Sequence, residues 1–461
     1  MSLATAFAQF CHDSAGRPLP KDVSDRARLC FIDHLHAVLY GLRSETGDLL
    51  RAYLPADATG LSGEQLALCL GAASTVDEID DVHFDTSLHT GSVVVAAAIA
   101  ATRYRPVPFD TVLAAIAVGY DVAVRLGVIA GPSHYRYFHT TATCGAIGAA
   151  AAASVVLGLS RDQIRNAIGI AATSASGLWE GISTEAIGLK HMHSGFAAER
   201  AVRSARLAGL GLKASPASLD GQKGFLNALD AEADGGDGLD AKDRYGLHDL
   251  GQRWSILRNI FKRYPFCLGC FEPLEGVKAL LAAAKRPLHH LRRVDAVLCP
   301  PTAELVSVRE PGNLLAAKFS VQFAIALVLA GYPAEQVRPP AAWLSDPDVG
   351  KWYPLIHSGG DPSLPPRFAR VTLTWDDGTR QEGAEPLSNL SVSDVERRFA
   401  AVCASYDGAA VASLQRLATT CASADDVAGL AHLLAGIVTS MTPTERAHHD
   451  VRAEGAYIVQ G

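Results

Sequence analysis

Residues 137–160, "YFHTTATCGAIGAAAAASVVLGLS", contain no Asp, Glu, Lys or Arg, and how this run is read decides the fold. Alanine, glycine and threonine dominate it. A membrane span needs about 20 strongly apolar residues, and this run is too weakly apolar to be one. Small side chains instead let helix backbones approach closely, because interaxial distance follows the side chains at the contact. The run therefore reads as closely packed helix within a tightly packed all-helical body.

Working outward, "LPKDVSDRARLCFIDHLHAVLYGL" has apolar residues at helical spacing and places Pro20 at a favoured early position. "DTVLAAIAVGYDVAVRLGVIAG" and "SRDQIRNAIGIAATSASGL" read the same way, the latter with Ser160 as N-cap. Composition shifts near residue 250. "RRVDAVLCP" is a short β-branched run, and "RVTLTWDDGTRQEG" alternates Val371, Leu373 and Trp375 ahead of an Asp-Asp-Gly turn, a hairpin signal. Helical patterns flank the first of these, "PLEGVKALLAAAK" before it and "AAKFSVQFAIALVLAG" after it, and helix returns after about residue 393. The expected architecture is mainly α. A large all-helical domain is formed by both chain ends (1–254 and 394–461), with a smaller α+β domain (255–393) inserted. Pockets favour domain junctions, which draws attention to residues 255–270.

The bulk numbers exclude several classes. A chain of 461 residues, 49% hydrophobic and 19% charged, is long enough for more than one domain. A net charge of −7 and a pI near 6.1, with no Lys/Arg block, argue against a nucleic-acid partner. "MSLATAFAQFCHD" has neither a basic start nor a long apolar core, so neither a signal peptide nor a membrane association is expected. Nine cysteines without a scaffold rhythm fit a reducing cytoplasm.

Four islands carry chemistry. "VDEIDDVHFDTSLH" (76–89) crowds five carboxylates and two histidines. On a helix, Asp77 and Asp81 would be i,i+4 and Glu78 and Asp81 i,i+3, so three carboxylates would share one region. The bland alternative is an acidic first turn favoured by the helix dipole. A metal site using His83 and His89 lacks any H-E-x-x-H spacing, and no metal is expected. The second island, "HYRYFHTTATCGAIGAAAA", sets Arg136, Tyr137 and His139 before the small-residue helix, with Thr140, Thr141 and Thr143 able to cap it. The third, "STEAIGLKHMHSGFAAERAV", has Lys190, His191 and His193 at a helix start, where a lysine is unfavourable unless it serves an anion. The fourth, "FKRYPFCLGCFEPLEG", joins Lys262 and Arg263 to a Cys267-x-x-Cys270 pair. With no second CxxC and no βαβ context, two cations beside aromatics read as an anion clamp. No G-x-S-x-G, P-loop or dinucleotide fingerprint is present. What remains is acid/base equipment (Glu78, Asp81, His89, His139, Lys190) with cations (Arg136, Lys262, Arg263), a kit for moving a proton next to a carboxylate.

In order and spacing, these islands resemble the MmgE/PrpD family of 2-methylcitrate dehydratases, cis-aconitate decarboxylases and iminodisuccinate epimerases. The resemblance also rests on "AIAVGYDVAVRLG" and "LDGQKGFLNAL" and covers nearly the whole chain. It implies a helical domain with an α/β lid, a homodimer, a catalytic cleft between the domains and no cofactor. By motif it places the acidic pair on Glu78 and Asp81, the following histidine on His89, and further functional groups on His139, Lys190 and Lys262. The sequence departs from the decarboxylases and dehydratases in its Glu78-Ile-Asp80-Asp81-Val82 pattern. It also departs in His89-Thr90-Gly91, in Cys267 where a lid histidine is expected and in Leu305 where a lid tyrosine is expected.

The expected function is proton abstraction next to a carboxylate of a small di- or tricarboxylate. It leans to an epimerase or isomerase of an iminodisuccinate-like substrate, with His139 and Lys190 as the acid/base pair. Glu78 and Asp81 would orient His89 and Lys190, and Lys262, Arg263, Arg136, Tyr137, His193 and Cys267 would surround the substrate. The alternatives are a 2-methylcitrate dehydratase-like lyase, hydro-lyase or decarboxylase, and a metabolite-binding homologue with altered catalysis.

Overall fold

The computed structural model describes residues 1–440 apart from 56, 183–187, 230–244, 366, 385–388 and 407. The 183–187 part of the third island and residues 441–461 of the expected helical domain lie outside the described residues. The chain is mostly helical and divides into two compact units.

The first unit holds Met1–Val76, Asp80–Phe261 and the helices that follow Ser391. Its N-terminal part contains α1 (Leu3–Ala15), α2 (Lys21–Gly41), α3 (Glu45–Tyr53), α4 (Gly63–Ser74), α5 (Thr90–Ala101), α6 (Phe109–Tyr135), α7 (Thr140–Leu157), α8 (Arg161–Ser174) and α9 (Gly188–Gly209). Caps follow the sequence. Ser62 and Ser160 each close a capping box with a glutamine three residues on, satisfying two end groups reciprocally. At α7 every residue from Thr140 to Val156 is buried, against α5, α6, α8 and α9.

Glycine explains how α6 and α7 come so close. A Cβ on Gly148 would lie 2.5 Å from both the Ala123 Cβ and the Gly119 carbonyl oxygen, so the crossing tolerates no side chain there. Farther along α6, Gly131 leaves helical geometry at φ 71° and Pro132 follows, which bends the helix just before the second island. Helices α6 and α7 are long and apolar enough to cross a bilayer, yet 89% and 94% of their apolar windows are buried inside the protein. The helical unit is not wholly helical. A short antiparallel ribbon pairs β1 (Val82–His83) with β2 (Asn259–Ile260), with Val82 opposite Ile260.

The second unit holds Asp77–Ile79 and Lys262–Leu390. Its sheet runs β4 (Ile356–Gly360), β3 (Leu291–Leu298), β5 (Ala369–Trp375), β6 (Arg380–Gly383) in spatial order. The β3–β4 pair is parallel and the others antiparallel. The expected hairpin is present as β5–β6, turning through Asp376, Asp377 and Gly378, where φ of +80° suits glycine. The helix Phe271–Ala284 packs on β5 and the helix Val321–Leu329 packs on β4. All nine cysteines are free thiols and all are buried.

Candidate active site

The acidic island is not a helix. Residues 75–81 form turns and bends between α4 and β1, and Glu78 has φ of +54°. The i,i+4 argument therefore fails. Asp77 and Glu78 cluster with the second unit, Asp80 and Asp81 with the first.

In the first unit, Asp80 rather than Asp81 orients His89. The His89 Nδ1 and Asp80 Oδ2 are 2.8 Å apart, and both side chains are buried. A carboxylate on Nδ1 fixes the tautomer and directs proton exchange to Nε2. Asp81 instead accepts from the Tyr120 hydroxyl, the Asn259 amide and the Gly91 N–H, the last at 2.8 Å. Burial pushes its carboxyl up to about 6, against the Tyr120 hydrogen bond and with help from the Asp80 charge. Gly91 is required there, since a Cβ would sit 2.5 Å from Asp81 Oδ1.

Behind this pair, α2 contributes Cys30, Asp33 and His34. Asp33 accepts from the Asp81 backbone N–H, and burial, then the Asp81 charge, lift its carboxyl well above the usual range. Burial lowers His34 to about 3, against the pull of Asp80.

The threonines of the second island do not cap α7. His139 occupies the N-cap without a side-chain bond, and its N–H donates to Gly177 O at 2.8 Å. The Thr141 hydroxyl accepts from the His89 N–H at 3.1 Å, tying the start of α5 to α7. Thr143 pairs with His134 Nε2 at 2.8 Å.

Around His139 the structure gathers three further rings. His193 Nδ1 lies 3.4 Å from His139 Nδ1, the Trp179 ring centroid lies 4.7 Å away and that of His89 6.0 Å away. His193 and Lys190 are buried on α9, Lys190 within its first turn. Burial, then Arg200 and Lys190, lowers His193 to about 4, so its ring is neutral at pH 7. His89, His139, His193 and Lys190 are thus all buried in this unit. Arg136 and Tyr137 are not part of that buried group: both are exposed, and Arg136 packs over the Tyr137 ring at 5.4 Å.

In the second unit, Lys262 Nζ donates to Glu78 Oε2 at 2.7 Å, with both groups buried. Asp77 is held by Lys318 at 3.1 Å and by Arg338 Nη2 at 2.8 Å. Burial alone would raise the Asp77 carboxyl, but these two cations hold it well below the usual range. Cys267 donates its backbone N–H to Lys318 O at 2.7 Å, and its neighbour Cys270 has its thiol pushed up by burial. Arg263 lies 3.8 Å from Glu275 and is separate from the Asp77 and Glu78 pairs. Leu305 is partly exposed at the end of the short helix Pro300–Leu305.

Sequence reasoning missed Asp80, Trp179, Lys318 and Arg338. Asp80 sat in the quoted run but was passed over for its neighbour. Lys318 and Arg338 lie far along the chain from Asp77, and no local pattern marks them.

Comparison with known proteins adds an independent line. Residues 5–234 match the MmgE/PrpD N-terminal domain. A cis-aconitate decarboxylase from Aspergillus terreus is 27% identical over 296 residues, 59% of this chain and 59% of that protein. The human cis-aconitate decarboxylase is 28% identical over 241 residues, 49% of this chain and 50% of the relative. The chain thus spans between half and three fifths of the length of these relatives.

Proposed function

Because the chain belongs to the MmgE/PrpD family through its N-terminal half, we propose that it is a lyase that transfers a proton next to a carboxylate of a small polycarboxylate of the cis-aconitate class. The observation that carries this reading is the buried set of His89, His139 and His193, with one ring on a carboxylate and one kept neutral. Neighbouring titratable groups with separated proton affinities are how one site supplies both an acid and a base. The relatives reported above are named as decarboxylases, which favours the lyase alternative over the epimerase expectation.

Decarboxylation breaks a C–C bond, leaves its electron pair on the carbon skeleton, releases carbon dioxide and requires one proton at carbon. Dehydration removes a proton from carbon and delivers one to the departing hydroxyl. Both need a positioned proton carrier beside a stabilised anion. His139 takes the carrier role, with His193 as its hydrogen-bond partner. The His89–Asp80 pair serves as the second acid/base, and Lys190 meets the anionic charge. Lys262 already answers Glu78, so this assignment does not depend on it.

The test is incubation with cis-aconitate and 2-methylcitrate in deuterated water, followed by NMR. A lyase yields a shortened or unsaturated product, and a decarboxylated product carries deuterium at one carbon. Deuterium entering recovered substrate with neither water nor carbon dioxide lost or added would restore the epimerase reading. No reaction with any C4–C6 polycarboxylate would sink proton transfer altogether. His139→Asn and Lys190→Ala should each lower turnover by about 10²-fold or more.

A further inference from the structure

Trp179 belongs to none of the islands, yet its indole rests on the His139 imidazole with ring planes inclined 39°. The contact is clamped from several directions. Trp179 Nε1 donates to Tyr135 O at 2.8 Å, and its backbone N–H donates to Tyr137 O at 3.0 Å. Phe138 and Leu178 form an antiparallel bridge, and the His139 N–H is bound by Gly177 O. Residues 177–179 thus run as a short ladder beside 137–139, and the two rings have little freedom to separate.

A cation within about 6 Å of an indole centroid is drawn to the ring face, and indole is the strongest of the aromatic faces. A neutral imidazole gains less from the same contact. Other rings near His139 are His193 from α9, which itself feels Arg200 and Lys190, and His89 with Asp80 behind it. Arg200 and Lys190 oppose positive charge on His193. The neutral His193 can accept at Nδ1 and favours positive charge on His139.

We propose that Trp179 is a positioning residue whose indole face holds His139 as an imidazolium and so selects His139 as the proton donor. The inference rests on the acid/base reading of His139, and the experiment keeps the two apart. A protonated imidazole in contact quenches indole emission. The emission of the intact protein should therefore change with pH between 5 and 9, and the change should vanish in Trp179→Phe and in His139→Asn. A transition that survives in either variant, or one absent from the unsubstituted protein, overturns the proposal.

Histidine NMR gives the second readout, with the His139 signal assigned by its loss in His139→Asn. Its midpoint should fall by about half a pH unit in Trp179→Leu and by less in Trp179→Phe, which keeps a ring and safeguards against a folding failure. Unchanged midpoints overturn the proposal, as would a drop in kcat with the alkaline limb of kcat/KM unmoved. Absence of turnover on every polycarboxylate would defeat the lyase reading while leaving both titrations measurable.

Discussion

Asp80 and Asp81 are adjacent, both buried and both carboxylates, yet their partners give them different work. Asp80 holds one nitrogen of His89, whereas Asp81 collects a hydroxyl, an amide and a backbone N–H. Asp80→Asn should therefore leave His89 with the wrong tautomer and lower kcat by about 10²–10⁴-fold. Asp81→Asn should instead act mainly on stability, costing about 1–3 kcal/mol as buried donors lose an acceptor. Turnover and urea midpoints measured on both variants check the split. Equal kcat losses would show that the two carboxylates are not divided in this way.

At the scale of elements, the small-residue helix was legible because composition alone dictates close packing. Alanines and glycines have nothing else to offer a core, and α7 is buried along almost its whole length. Gly148→Ala should cost about 1–3 kcal/mol by forcing α6 and α7 apart, as read from chemical denaturation. An unchanged midpoint would mean that the crossing can relax. The hairpin was legible for a similar local reason, since Asp-Asp-Gly needs no distant partner to turn. The acidic island was not. Its reading assumed a helix, but Glu78 at positive φ breaks that geometry, and the partners of Asp77 and Glu78 are Lys262, Lys318 and Arg338, far along the chain. Trp179 escaped because its role comes from a bridge between residues 138 and 178, which no periodicity announces.

For the whole molecule, buried titratable groups pull stability in opposite directions with pH. His34 and His193 are lowered to about 3 and about 4, so the unfolded chain binds more protons than the native one below about 6.5. Their contribution is present above that pH and is lost on acidification. Asp77, held low by two cations, likewise contributes above about 4 and loses that contribution as pH falls. Asp33 is raised, so above about 4 the unfolded chain releases a proton that the native state keeps, and stability falls with rising pH. Asp33→Asn should accordingly raise Tm by about 2–5 °C at pH 7 and leave it unchanged near pH 4. A gain of equal size at both values would show that Asp33 is charged in the native state.

The burial of every thiol has a practical consequence. Of the nine cysteines, Cys267, Cys270 and Cys299 lie in the second unit and the other six in the first. An alkylating reagent reaches none of them without an opening event, so each modified position dates and locates a departure from the native state. Mass spectrometry after timed labelling would then report, without any engineered probe, whether the sheet unit or the helical unit opens first.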